Sequence, residues 1–351
     1  MPVPPPGPVR ASAASRAGLF TTAELTAAGV TEKEVRTAVR SGHWVRLRRG
    51  LFVTMEDLAR TEASGRRREL DALVVSTALD RAGAALSHGT AAWLWGLPVP
   101  RDLPRDVRLT DPDRWRSGPG YVMTRAALPE PEVTTLRGHR LTTPARTLVD
   151  AAREWSELAA VAALDAALLR GLVTPEELAA TLARHRSTPR VPRAARAVAA
   201  ADGRSESWLE TKGRLRFRAA GLPPFVPQVE LRVDGRLVKV ADGWYQEAAL
   251  VVEFDGRVKY ERPAYGGRPE DVLFDEERRE DLLRSIGVRF VRLVDDDLGR
   301  GWPPVESRVR RELAVPGPVD RSFTAVPRDV GRVRAAARQT LSRPAVRRAA
   351  P

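Results

Sequence analysis

The sequence predicts a multidomain α+β protein with an N-terminal winged helix-turn-helix, a mainly helical middle domain and a C-terminal α/β domain. Three observations predict this architecture. Two helix-start signals precede a basic alternating stretch near the N-terminus, apolar residues recur at helical spacing through the middle, and an acid-punctuated hairpin pattern fills residues 237–259. The 351 residues and 43% hydrophobic content suffice for two or three packed cores.

The composition narrows the classes of partner and cofactor. The net charge of +13 favours a polyanionic partner, because cations that neutralise phosphates release condensed counterions. Part of this basicity reflects compositional bias, since the chain has no Asn and a single Ile. The lack of cysteine excludes disulfides and thiolate metal sites, and four scattered histidines argue against zinc. No apolar run reaches the roughly 18 residues of a membrane span, so we expect a cytoplasmic protein with no membrane contact.

Two capping-box signals mark the N-terminal domain. Thr21 with Glu24, and Thr31 with Glu34, each place a hydroxyl three residues before a glutamate, which satisfies free amides at a helix start. A basic alternating stretch follows, as expected for a small β-hairpin. The predicted segments are a flexible leader at 1–14, helices at about 23–28 and 32–41, a hairpin at 42–53, and a winged helix-turn-helix over 15–55 as a whole.

A basic face on the second of these helices predicts DNA binding. Its cations recur at spacings of three and four, so they share one face, and further arginines lie in the wing. The predicted nucleic-acid contacts are Lys33, Arg36, Arg40, Arg46, Arg48 and Arg49. The alternative is a small structural bundle with a solvated basic face. The segment also resembles the N-terminal domain of AbiEi-type antitoxins of type IV toxin-antitoxin systems.

The middle region, residues 68–200, is rich in helical periodicity. Its segments LSHGTAAWLWGLPVP, GHRLTTPARTLVDAA and ALDAALLRGLVTPEEL resemble the region that follows the winged helix in AbiEi-like proteins. Ser87 beside His88 is read as a capping serine with a structural histidine rather than a catalytic pair. Residues 184–204 are predicted to be a basic linker.

The hairpin at 237–259 gathers carboxylates. Asp242 on one strand and Glu253 on the next are expected to approach each other, and Asp255 lies on the same face as Glu253. Oxygen ligands of this kind suit Mg²⁺ (or Mn²⁺), which could activate water against a phosphodiester. Lys259 follows the acids in a chain whose other cations are nearly all arginine. The alternative is a solvated hairpin with ordinary surface acids.

Residues 203–300 resemble the PD-(D/E)XK nuclease superfamily, in particular its very-short-patch-repair-like, domain-of-unknown-function branch. The resemblance rests on Ser207-Trp208-Leu209-Glu210, the acidic hairpin, EFDGRVKY, FDEERREDLLRSIGVRFVRL and Asp297-Leu298. It implies a restriction-endonuclease-like fold and Mg²⁺-dependent DNA cleavage. The implied catalytic residues are Glu210, Asp242, Glu253 and Lys259, and the implied metal ligands are Asp242 and Glu253. Asp255, on the same face as Glu253, is a further candidate ligand. The chain departs from the pattern at 255, where the superfamily has lysine.

Two functions therefore stand side by side. The main hypothesis is a DNA-binding protein with a Mg²⁺-dependent endonuclease domain, and the alternative is a noncatalytic transcriptional regulator or antitoxin of a type IV toxin-antitoxin system with an inactive nuclease fold. DNA is the expected partner in both, and the antitoxin resemblance adds a nucleotidyltransferase-like toxin or its operator as a candidate. Residues 316–351 lack apolar periodicity and are predicted to be a disordered basic tail.

Overall fold

The computed structural model describes residues 4–255, 269–331 and 333, and the side chains within them except those of residues 269–275. Its backbone forms two compact units, Met1–Ala151 and Ala152–Pro351. The boundary between them falls inside the predicted middle domain.

The first part of unit one is a winged helix-turn-helix preceded by a further helix. Its elements are α1 (Gly7–Ala14), β1 (Phe20–Thr21), α2 (Thr22–Ala27), α3 (Glu32–Arg40), β2 (Trp44–Arg48), β3 (Leu51–Thr54), α4 (Met55–Ala63) and α5 (Arg67–Leu79). The three strands form a sheet in the order β1-β3-β2. Both predicted capping boxes are present, at the starts of α2 and α3. The predicted pair of helices and hairpin is therefore confirmed.

The predicted flexible leader is wrong for the described residues, since α1 occupies most of it. Val9 and Ala13, one turn apart, are 3% and 4% exposed and pack into the core of the winged helix. In that core Phe20 meets Trp44 edge to face, with ring centroids 5.1 Å apart. The last proline of this leader, Pro8, is the second residue of the helix, where a missing backbone N–H costs little.

The remainder of unit one is a six-stranded sheet with short helices. Its elements are β4 (Ala85–Leu86), α6 (His88–Leu94), β5 (Val107–Asp111), β6 (Arg116–Gly118), β7 (Tyr121–Arg125), β8 (Val133–Leu136), β9 (His139–Thr142) and α7 (Pro144–Glu154), the last of which crosses the unit boundary. The strand order is β6-β7-β5-β4-β9-β8. The expectation of a mainly helical middle domain is thus wrong for residues 85–142, whose strands are two to five residues long. Such short strands leave little alternation for a pattern to detect.

Unit two combines helices with a five-stranded sheet. Its elements are α8 (Glu157–Arg170), α9 (Pro175–Arg184), α10 (Val191–Ala199), α11 (Trp208–Ala219), β10 (Val226–Val233), β11 (Arg236–Tyr245), β12 (Leu250–Phe254), α12 (Pro269–Ser285), β13 (Arg289–Leu293), α13 (Trp302–Ala314) and β14 (Phe323–Pro327). The order is β13-β12-β11-β10-β14, with β12 and β13 parallel and the other pairs antiparallel.

Both faces of this sheet are buried, which agrees with the predicted α/β character of the C-terminal domain. One core holds Phe217, Phe254 and Trp302, and the other holds Leu231 and Trp244. Two predictions need correction here. Helix α10 replaces much of the predicted linker, and β14 pairs with β10 inside the predicted disordered tail, while residues 334–351 lie outside the described part.

Candidate functional site

Helix α3 separates an apolar inner face from a basic outer face. Val35, Ala38 and Val39 pack against the winged-helix core. The helix start is fixed by the capping box, in which the Thr31 backbone N–H donates to Glu34 Oε2 at 2.8 Å and the Glu34 N–H donates to Thr31 Oγ1 at 3.3 Å. The hydroxyl and the backbone N–H of Thr31 lower the pKa of Glu34. The Glu34 carboxylate is held at the start of the helix by the cap, so it does not pair with the cations of the outer face.

The outer face carries three cations of the predicted set. Lys33, Arg36 and Arg40 are all exposed, and their spacing places them within one side of the helix. Arg36 NH1 lies 3.1 Å from Glu32 Oε1, but both side chains are largely exposed, at 61% and 82%. An exposed pair of this kind is worth about 1 kcal/mol or less, so a phosphate can displace the glutamate.

The wing presents two of its three predicted arginines. Arg46 and Arg49 are exposed, whereas Arg48 is half-buried. The Arg48 guanidinium donates to the Pro119 carbonyl and lies over the Tyr121 ring, 5.5 Å from its centroid. Arg48 therefore fixes the wing to the turn between β6 and β7, in addition to any contact with DNA.

The acidic hairpin of unit two forms as predicted in its backbone. Asp242 lies on β11 and Glu253 on β12, and the antiparallel ladder pairs Gly243 with Val252 beside them. Asp242 Oδ2 accepts the backbone N–H of Phe254 at 2.8 Å. The two acids therefore lie on neighbouring strands, but the Asp242 carboxylate is hydrogen-bonded to the backbone of the hairpin.

Glu253 faces cations from its own domain. Lys239 Nζ lies 3.0 Å from Glu253 Oε1, and Arg292 NH2 lies 3.6 Å from Oε2. Lys239 also approaches Glu276 Oε1 at 3.4 Å, and Arg292 pairs with Glu280 at 2.7 Å. The carboxylate that was predicted to hold a metal is thus already neutralised within a network of ion pairs.

The other predicted nuclease residues have separate roles or positions. Glu210 is in the first turn of α11, where its Oε2 accepts the Glu206 N–H at 2.8 Å and Gln228 Nε2 at 3.3 Å. The Asp255 backbone N–H donates to the Leu293 carbonyl at 2.8 Å. Lys259 lies outside the described residues.

These residues do not fit a Mg²⁺ site in the arrangement described. Within residues 4–255, 269–331 and 333, no group of three or more Asp, Glu or His side chains is placed to hold a metal ion. Mg²⁺ needs several converging oxygens, whereas Glu253 faces Lys239 and Arg292.

Sequence reasoning missed Lys239. The argument from lysine rarity, which singled out Lys259, applies equally to Lys239, three residues before Asp242. The register of β11 with β12 places Asp242, not Lys239, opposite Glu253, so the contact between Lys239 and Glu253 is seen only in the folded chain.

The Ser87 and His88 pair is buried, and the predicted cap by the serine hydroxyl is not formed. Both side chains are buried, at 0% and 2% exposure, and Ser87 Oγ lies 2.9 Å from His88 Nδ1. Thr110 Oγ1 donates to Ser87 Oγ at 2.9 Å. The serine stands at the start of α6, but its hydroxyl bonds to these side chains rather than capping the helix.

Comparison with known families gives two matches, in the winged helix and in the region after it. Residues 8–54 match the family described as "Transcriptional regulator, AbiEi antitoxin". Residues 82–198 match the family described as "AbiEi antitoxin C-terminal domain". The N-terminal and middle regions carry AbiEi antitoxin domains. Neither match reaches residues 203–300, so the nuclease resemblance gains no support from them.

Individual relatives come from Mycobacterium tuberculosis. The uncharacterized proteins MT2308 (strain CDC 1551 / Oshkosh) and Rv2248 (strain ATCC 25618 / H37Rv) are each 27% identical over 288 residues, covering 81% of this chain and 97% of the relative. The crystal structure of the RV2827C protein from the same species is 20% identical, with a TM-score of 0.35, over 54% of this chain and 74% of that chain. Among the described residues, no helix is both long and apolar enough to span a bilayer.

Proposed function

We propose that this protein is a DNA-binding transcriptional regulator of the antitoxin type, and that it binds duplex DNA through α3 and the wing. The observation that carries the proposal is the division of α3 into a buried apolar face and an exposed face bearing Lys33, Arg36 and Arg40. In a winged helix-turn-helix this second helix is the element that enters the major groove.

The groups on this surface suit the two kinds of DNA contact. Arg36 and Arg40 project from the middle and end of α3, where a guanidinium can donate two parallel hydrogen bonds to a guanine edge or a phosphate. Exposed Arg46 and Arg49 in the wing suit contacts to the flanking phosphates. The matched family descriptions, which name a transcriptional regulator and antitoxin, support this assignment.

The antitoxin descriptions also lead us to propose a second partner, a nucleotidyltransferase-like toxin. The test is genomic and biochemical. A toxin gene of that class beside this one, whose product co-purifies with the full chain after co-expression, would support the proposal. A neighbouring toxin that does not bind the chain would argue against it.

Endonuclease chemistry is not part of the proposed function. Glu253 faces Lys239 and Arg292, and Glu210 and Asp242 accept backbone N–H groups. This arrangement favours the alternative in which the C-terminal domain has a noncatalytic role.

Promoter binding and repression test the main proposal. The full chain is assayed by mobility shift on a labelled 40-base-pair duplex from the region upstream of its own gene, and by repression of a reporter placed behind that region. Arg36→Ala with Arg40→Ala should weaken both. The control with the same charge change is Arg186→Ala with Arg196→Ala, at exposed arginines of unit two. Equal binding and repression by the two double variants would refute the assignment to α3.

A further inference from the structure

An exposed tryptophan flanked by arginines lies on the β6–β7 hairpin of unit one. Trp115 is 67% exposed, and Arg114 and Arg116 on either side are also exposed. Leaving an indole in water forgoes burial of a large apolar surface, so an exposed tryptophan with a polar rim is typical of a binding site. The proposed function gives these three residues no role.

A buried aspartate fixes the turn that presents Trp115. Asp111, 0% exposed, accepts the backbone N–H groups of Asp113 at 2.9 Å and Arg114 at 3.1 Å through its Oδ1. Arg81 holds the same carboxylate with two hydrogen bonds, at 2.6 and 3.0 Å. The hydrogen bond from Arg81 is the main cause of the lowered pKa of Asp111, and it opposes the effect of burial. The turn is therefore preorganised, and ordering it on binding costs little entropy.

The same hairpin is joined to the wing. Its other end, at Pro119 and Tyr121, holds the Arg48 guanidinium described above. The four residue steps from Trp115 to Pro119 span at most about 13 Å. This distance corresponds to about four base-pair steps of DNA, at roughly 3.4 Å each.

The local charge points to a nucleic acid. Arg114, Arg116 and Arg125 are exposed cations on this hairpin. The neighbouring Asp113 is paired with Arg81 at 3.3 Å, and Asp111 is buried under the same arginine. The exposed rim of Trp115 is therefore positively charged, which complements phosphates better than the mixed rim of a typical protein interface.

We infer that Arg114, Trp115 and Arg116 form a second contact with duplex DNA, on the segment that flanks the wing. The two guanidinium groups bind phosphates, and the indole packs against the sugar edge between them. This inference rests on the proposed function, because it extends the interface that α3 and the wing begin. It assigns unit one a DNA footprint longer than the winged helix alone would give.

Affinity measurements on the full chain test the inference. The probe is the 40-base-pair upstream duplex, read by fluorescence anisotropy at several salt concentrations. Trp115→Ala should raise Kd about tenfold, and Arg114→Ala with Arg116→Ala should reduce the slope of log Kd against log salt by about two. The control is again Arg186→Ala with Arg196→Ala, and unchanged melting temperatures confirm that the exposed substitutions leave the fold intact.

The outcomes separate this inference from the proposed function. If the α3 variant loses binding while both hairpin variants match the control, the hairpin is not a DNA contact and the proposed function survives. If all variants bind like wild type, the proposed function fails as well. If the hairpin variants keep DNA affinity but lose a co-purifying toxin, the surface serves a protein partner and the inference is overturned.

A mapping experiment locates the contact directly. Because the chain contains no cysteine, Ser117→Cys on β6 creates a unique attachment point for an iron-EDTA cleavage reagent. Strand cleavage should fall just beyond the bases protected by α3 and the wing. Ser187→Cys in unit two is the control. Cleavage spread evenly along the duplex from the Ser117→Cys conjugate would contradict the inference.

Discussion

Lys239 Nζ lies 3.0 Å from Glu253 Oε1, across adjacent strands of the C-terminal sheet, and the two side chains are only 11% and 13% exposed. This pair changes the interpretation of the acidic hairpin. A carboxylate that was expected to recruit a cation from solution already has one supplied by the chain. The hairpin therefore contributes to the stability of unit two, where charge pairing in a largely buried position matters more than at the surface.

Removing Lys239 should destabilise unit two. Lys239→Met leaves Glu253 facing the more distant Arg292, and we expect a loss of about 1–2 kcal/mol in the free energy of unfolding. Urea unfolding of wild type, Lys239→Met, Glu253→Gln and the double variant measures the coupling. A coupling energy near zero would show that the pair is incidental.

Magnesium provides a second test of the same hairpin. Glu253 faces cations, and Glu210 and Asp242 accept backbone N–H groups. We therefore expect that 5 mM MgCl₂ changes the melting temperature of neither wild type nor Glu253→Gln. This concentration is sufficient to fill weak carboxylate sites, whose dissociation constants are about 10⁻³ M. The endonuclease hypothesis would be supported if Mg²⁺ stabilised wild type but not Glu253→Gln and if wild type nicked plasmid DNA.

Breaking the buried ion triad of Arg146, Glu132 and Asp150 should destabilise unit one strongly. Arg146, 2% exposed, donates through Nε to Asp150 Oδ2 at 2.7 Å and through NH1 to Glu132 and to the Ala127 carbonyl. Arg146→Met would leave two carboxylates buried without their cation, and we expect a loss of about 3–5 kcal/mol. Arg140→Met, whose side chain is 40% exposed and 3.8 Å from Glu130, should cost about 1 kcal/mol or less. Similar losses for both variants in chemical unfolding would contradict this assignment.

His139 should make unit one less stable in mild acid. Burial lowers the pKa of His139 below its usual 6.5 despite the nearby charge of Glu69, whose Oε1 is 3.8 Å from Nε2. The folded state thus favours the neutral ring, so its contribution is complete above pH 6.5 and is lost as pH falls through the lower folded pKa. Between pH 7.5 and 5.5 the melting temperature of wild type should fall more steeply than that of His139→Gln. Parallel curves would rule out this contribution.

Substitutions in the wing should have two different effects, one on protein stability at Arg48 and one on DNA affinity at Arg46 and Arg49. Arg48→Ala removes a cation–π contact and a hydrogen bond, and we expect a loss of about 1 kcal/mol in stability. Arg46→Ala with Arg49→Ala should leave stability unchanged and weaken DNA binding instead. Melting curves and anisotropy on the same three proteins check both statements, and a destabilised Arg46→Ala with Arg49→Ala protein would contradict them.

Local signals predicted the winged helix well. The hydroxyl-to-glutamate spacings at Thr21 and Thr31 specify helix starts through contacts within four residues, so sequence alone located α2 and α3 to within a residue or two. Helix α1 was missed because its prolines suggested disorder, although the i, i+4 pair of Val9 and Ala13 indicated a buried face.

Long-range pairing explains the remaining differences. Strands β4 to β9 are short and gain their order from partners that are distant in sequence, such as Leu86 with Leu141. The burial of Arg48 depends on Pro119, and the neutralisation of Glu253 depends on Lys239 and Arg292. None of these contacts has a signature within one segment of the sequence. Residue types were therefore enough to single out the acidic residues of the candidate site. The cations that pair with them became visible only in the folded structure.

The salt dependence of DNA binding tests the central proposal most directly. The full chain is titrated onto the 40-base-pair upstream duplex from 50 to 300 mM KCl, a range over which several phosphate contacts change Kd by about 10³-fold or more. We predict a steep slope for wild type, a slope smaller by about two for Arg36→Ala with Arg40→Ala, and a wild-type slope for Arg186→Ala with Arg196→Ala. Absence of binding by the folded wild-type protein at 50 mM KCl, or identical slopes for all three proteins, would contradict the assignment of α3 as the DNA-binding helix.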